Sequence, residues 1–145
     1  MKMPYRKILV AFDGSKASED ALEQAIMLAR DNELTELEVI HVYNMPTIIL
    51  GEAIFTPPPG HEREMIAYSK SVISKAKTLL EHTPHNTVTL HYGNPAKVIL
   101  QQAEETHCDL IVVGSKGHSG IMEFMLGSVS HNVVLHAKVP VLVVK

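Results

Sequence analysis

The chain predicts a doubly wound α/β domain: a five-stranded parallel sheet in the order 3-2-1-4-5 with helices on both faces, occupying residues 1–145 as a single unit. Three observations carry this prediction. The runs Ile8–Phe12, Leu110–Val113 and Val141–Val144 are apolar without alternation, as strands covered on both faces are. Segments with apolar residues at helical spacing lie between the strands. Thr87–Tyr92, by contrast, alternates polar and apolar strictly, which marks a strand exposed on one face near a sheet edge.

The first strand, Lys7–Phe12, stops at Asp13-Gly14-Ser15, a strand-to-helix turn in which Ser15 or Ser18 caps the next helix. Ala21, Leu22, Ala25, Ile26 and Ala29 form that helix's buried stripe, and Asp31-Asn32 ends it. Leu37–Tyr43 is the second strand, joined to the first by a right-handed crossover. From Asn44 to Gly60 periodicity is lost, and Pro57-Pro58-Pro59-Gly60 forbids regular helix or a central strand, so a long mobile surface loop is expected. Helical spacing resumes at Met65 and stops before Pro84. After the edge strand, Asn94-Pro95 reads as a cap followed by proline at the first helical position, with Ala96, Ile99, Leu100 and Ala103 buried. Leu110–Val113 is the fourth strand, a last helix begins near Ser128, and Pro140–Val144 closes the sheet.

Composition narrows the function. With 46% hydrophobic and 20% charged residues, the chain has the makeup of an ordinary globular protein. A net charge of -3, with Lys and Arg scattered, leaves no basic stripe for nucleic acid or an anionic membrane. No run approaches the roughly 18 apolar residues of a membrane span. The apolar run after Lys7 is cut at Asp13, too short for a signal-peptide core. The single Cys108 begins a strand, as a small buried thiol does. A reducing, cytoplasmic setting is expected.

In the order 3-2-1-4-5 the connections reverse between strands 1 and 4, and ligands bind at the carboxyl ends there. Asp13 and Gly114 stand at those two ends. Gly114-x2-Gly117-x9-Gly127-Ser128 follows the fourth strand and runs into a helix start, a combination of close backbone N–H groups and a positive dipole end that suits a phosphate. The last strand should be an apolar edge blunted only by Pro140. Such an edge needs a cover, so a homodimer through residues 140–144 is expected.

These pieces together resemble the nucleotide-binding branch of the universal stress protein family. Lys7–Ser15 is similar to its opening strand and aspartate, His41-Val42 to the end of its second strand, and Gly93-Asn94-Pro95 to the start of its third helix. Asp109–Gly114, Gly127–Ser130 and Pro140–Val144 are similar to its fourth strand, last helix and last strand, leaving Met45 to about Glu64 unmatched. The resemblance implies a fold like that of the adenine nucleotide alpha hydrolases. It also implies bound ATP, or ADP or AMP, with a divalent cation such as Mg riding on the phosphates. Carried over residue by residue, Ala11 and Val42 flank the adenine, Asp13 sits near the ribose, and Val113, Gly114 and Gly117 line the nucleotide. Gly127, Ser128, Val129 and Ser130 hold phosphates; apart from the resemblance, Lys116 offers a mobile positive charge and His118, beside the glycine loop, a phosphate contact.

The function implied is a stress-response module regulated by nucleotide rather than an enzyme with turnover. Its rivals are a slow ATP-hydrolysing enzyme of the same fold, for which only Asp13 and Lys116 offer machinery, and a flavodoxin-like FMN module. No Gly-x4-Gly-Lys-Ser/Thr or Gly-x-Gly-x-x-Gly is present, and the absence of Trp leaves poor stacking for a flavin. His82 and His85, separated by Pro84 and with no third ligand nearby, read as surface residues rather than a metal pair.

Overall fold

In the computed structural model, which describes residues 5–44, 48–117 and 125–145, the sheet is built around β1 (Lys7–Ala11). β1 pairs in parallel with β2 (Glu36–Tyr43) on one side and β6 (Leu110–Gly114) on the other. β5 (Asn86–Tyr92) lies outside β2, and β7 (Val141–Val144) lies outside β6. The order is β5-β2-β1-β6-β7. With the two strands of a separate hairpin left out of the count, this is the expected 3-2-1-4-5.

Alternate residues of β1 supply two cores. Ile8 and Val10 pack with Ala21, Leu22 and Ala25 of α1 (Lys16–Arg30) and Val72 and Ala76 of α2 (His61–Leu79). Leu9 packs on the opposite face with Ile111, Ala96 and Ile99 of α3 (Pro95–Glu105), and Val133 of α4 (Ser128–His136). Coverage on both sides is why β1 and β6 run apolar without alternation, whereas the inner strand β2 buries Glu38 and His41 as well. β5 is an edge as expected, but its exposure does not follow the alternation: Leu90 and Tyr92 are 36% and 63% exposed while Thr89 and His91 are half-buried.

Local chemistry sets the helix starts. The Ser15 side chain caps α1 by accepting from the Ser18 N–H at 3.2 Å. Asn94 does the same for α3 through the Lys97 N–H at 3.1 Å, with Pro95 at the first turn. At the foot of the sheet the Asp109 carboxylate accepts from the N–H groups of Arg6 and Lys7, at 2.8 and 3.0 Å, fastening the start of β6 to β1.

The expected loop from Asn44 to Gly60 is corrected in part. β3 (Ile48–Leu50) and β4 (Ala53–Phe55) form an antiparallel hairpin with the register Ile49↔Ile54 and Leu50↔Ala53. Gly51, at φ +64, and Glu52 make the two-residue connection that hairpin twist favours. Three apolar or β-branched residues on each side are enough for a short ladder, even beside the prolines. Residues 45–47 of that stretch, and His118, lie outside the described residues. Among the described residues, no helix is long and apolar enough to cross a membrane.

Candidate functional site

A cleft of about 220 Å³ opens at the carboxyl ends of β1, β2 and β6. Of the twelve residues named from the sequence, His118 lies outside the described residues and the other eleven line it: Ala11, Asp13, Val42, Val113, Gly114, Lys116, Gly117, Gly127, Ser128, Val129 and Ser130. The structure therefore brings together loops about a hundred positions apart, as the switch in connection direction between β1 and β6 requires. Phe12, Ser18, Ile40, His41, Pro95 and Ile99 complete the lining. Sequence reasoning placed Pro95 and Ile99 on the third helix without following that helix to the end of β2. His41, a lone imidazole inside an apolar strand, was the clearest available signal of the others.

Asp13 is held by main chain and side chain together. Its Oδ1 accepts from the Ser15 N–H at 2.9 Å, an Asx turn just ahead of the α1 cap, and its own N–H donates to Ser18 Oγ at 3.3 Å. Ser15 rather than Asp13 is the capping residue. Oδ2 reaches across the cleft, so a β-carbon built on Gly117 would stand 2.7 Å from it.

The glycines have different reasons for being glycine. At Gly114 an added β-carbon would lie 2.8 Å from the Ala17 carbonyl carbon, so this position is bare because β6 and the first turn of α1 press together. Gly114 also lines the cleft, so the packing is a second reason for glycine there beside the one expected from the sequence. At Gly127 the nearest neighbour of such a carbon, Lys116 Cα, is at 3.4 Å, and φ is -62°, so neither packing nor backbone conformation there requires glycine.

Gly127 nonetheless precedes α4 without offering it a side-chain cap. The first intrahelical bond runs from the His131 N–H to the Gly127 C=O at 2.9 Å, which leaves the N–H groups of Ser128, Val129 and Ser130 ahead of the helical ladder. These residues line the cleft, so its wall carries the positive end of the α4 dipole, with the exposed Lys116 at the mouth.

Ser115, not singled out from the sequence, ties this wall in place. Its N–H donates to the Val144 C=O at 2.8 Å, while its C=O accepts from the Gly127 N–H at 2.8 Å and the Ser130 hydroxyl at 3.1 Å. The buried Ser130 hydroxyl also lies 3.0 Å from the Gly127 C=O. Its proton is thus committed to the protein, and of the two serines expected to hold phosphates only Ser128 keeps an exposed side chain. Among the described residues, no three His, Cys, Asp or Glu side chains come together as a metal site.

Residues 4–145 match the model of the universal stress protein family. The chain is 36% identical over 148 residues to universal stress protein YxiE of Bacillus subtilis (strain 168), covering 97% of this chain and 99% of that one. Among solved structures, universal stress protein UspA from Lactobacillus plantarum superposes with a TM-score of 0.80 at 25% identity, over 97% of this chain and 98% of that one. The universal stress protein from Archaeoglobus fulgidus in complex with dAMP superposes at 0.67 with 27% identity, over 99% and 100% of the two chains. With the family model spanning nearly the whole sequence and the same five-stranded architecture in its solved members, this chain belongs to the universal stress protein family.

Proposed function

We propose that this chain is a cytoplasmic ATP-binding regulatory module of its family, acting as a homodimer and through nucleotide-dependent change of shape or partner rather than turnover. One observation carries the reading: a carboxylate after β1 and an uncapped helix start after β6 face each other across one cleft. The chemistry of the two walls differs in the way a nucleotide demands. Ala11, Ile40, Val42 and Ile99 offer an apolar slot for the purine, and Asp13 offers an acceptor for ribose hydroxyls. The N–H groups of Ser128, Val129 and Ser130, the Ser128 hydroxyl and Lys116 suit phosphate oxygens. The dAMP complex of the Archaeoglobus fulgidus relative supports an adenine nucleotide as the ligand class.

Magnitudes favour a ligand that uses both walls. An anion at a helix start gains about 0.3–2 kcal/mol, whereas a 1 μM complex requires about -8.2 kcal/mol. Phosphate contacts alone fall short, and burial of the base must supply much of the remainder. A cleft of about 220 Å³ is below the usual 300–1,000 Å³ of small-molecule pockets. It suits the nucleoside, with the phosphates at the mouth, where Mg would ride on them.

The test is calorimetry with ATP, ADP and AMP on the intact chain and on the Gly117→Val, Gly127→Val double variant. Micromolar binding by the first and none by the second, with unchanged circular dichroism, is expected. Equal binding by both, or none by either, would remove the reading. Identification of the small molecule released on denaturing freshly purified protein gives the ligand directly.

A further inference from the structure

Where β1 leaves the sheet, the ladder ends in an unusual way. The last main-chain rung between β1 and β2 is the Phe12 N–H donating to the Ile40 C=O at 2.9 Å. Were the parallel ladder to continue, the Phe12 C=O would accept from the Val42 N–H. Instead that carbonyl is 2.9 Å from Nδ1 of His41, whose side chain stands in for the rung. A carbonyl can only accept, so Nδ1 carries the proton. Nε2 lies 3.3 Å from Ser69 Oγ on α2, which holds the ring from its other end. His41 is 5% exposed and Ser69 is fully buried, so the arrangement is fixed in the core and not a surface contact.

We infer that His41 is a positioning residue for the cleft: by taking the Phe12 carbonyl away from the Val42 amide, it stops β1 and β2 from zipping past Ala11 and sets the peptide that carries Asp13. Two consequences meet at the same place. The main-chain groups of Val42 on the β1 side are left facing the cleft, available to the edge of a base. The chain after Phe12 is turned out of the sheet toward α1, where Ser15 and Ser18 fix Asp13. This inference rests on the nucleotide reading only for what occupies the cleft; the role of the ring stands on the geometry of the protein itself.

The test pairs His41→Leu with His41→Asn, because leucine removes the donor and the asparagine amide restores one near Nδ1. In the nucleotide-free chain, hydrogen exchange at the Val42 amide should be fast for the wild type and His41→Asn, and slow for His41→Leu, whose strands are free to zip. For ATP, His41→Leu should lose about 10- to 100-fold in affinity, and His41→Asn should recover most of that loss even if its melting temperature matches that of His41→Leu. Affinity that follows melting temperature across both variants, or a Val42 amide equally protected in all three proteins, would overturn the inference. Should the wild type bind no nucleotide, the proposed function falls while the exchange comparison still decides the role of His41.

Discussion

A side chain on residue 117 would begin 2.7 Å from the Asp13 carboxylate, so the two sides of the cleft approach each other as closely as a missing methyl group permits. Gly117 is exposed and its φ lies outside the left-handed region, so Gly117→Ala should leave stability within about 0.5 kcal/mol of wild type. The displaced carboxylate should lower ATP affinity about tenfold. Gly114→Ala should do the opposite. Its added carbon would strike the α1 backbone, costing about 1–3 kcal/mol in urea unfolding whether or not nucleotide is present. A Gly114→Ala protein of normal stability would show that β6 and α1 are not in close contact.

The two serines of the α4 start should separate in the same way. Ser130→Ala removes a buried hydroxyl from the carbonyls of Ser115 and Gly127, each of which keeps an N–H donor, and should cost about 0.5–1.5 kcal/mol in urea. Ser128→Ala, at an exposed position, should leave unfolding unchanged and weaken ATP in calorimetry. If Ser130→Ala instead weakens ATP without loss of stability, its hydroxyl belongs to the ligand.

The edge of β7 gives a prediction for assembly. Ile111 N–H donates to the Pro140 C=O at 3.0 Å and Ser115 N–H to the Val144 C=O at 2.8 Å, so the even-numbered residues of this strand bond inward. The N–H of Val143 therefore points away from the sheet. Val143→Pro removes an outward donor while sparing the β6 ladder. Sedimentation should show a dimer for the wild type and a monomer for Val143→Pro, both with native circular dichroism.

Burial pushes the Cys108 thiol up from its ordinary 9.0 to about 11. The native state therefore keeps this proton after the unfolded chain has released it. The thiol's contribution to stability is complete below pH 9 and is lost as pH rises toward 11. Urea unfolding over that interval should show a decline that Cys108→Ala lacks. At neutral pH the native thiol should alkylate far more slowly than the same thiol in urea.

The strand order was legible because one strand differed from the others: Thr87, Thr89 and His91 alternate with Val88, Leu90 and Tyr92, and that strand is an edge, although it is the apolar Leu90 and Tyr92 that face outward. The lining of the cleft was legible for a related reason, since a doubly wound sheet sends every strand's carboxyl end to one place and the glycines follow directly from one of them. Roles within the lining were harder to read. A glycine looks the same in sequence whether a ligand or a helix requires it, so the contact between Gly114 and Ala17 had no signature. Ser115 acts through its main-chain N–H and C=O, which every residue possesses. The hairpin at 48–55 was hidden by the prolines that follow it, although Gly51-Glu52 between apolar triplets was the signal for it.

Asp13 and Gly117 are neighbours because β1 and β6 lie side by side, and the start of α4 completes the same cleft. A molecule gripped between the two walls touches residues from both ends of the chain and so favours the folded arrangement. Its binding energy then adds to the global free energy of unfolding, by RT ln(1 + [L]/Kd) for free ligand at concentration [L]. Under the proposed function, the free nucleotide concentration would set how much stability is added.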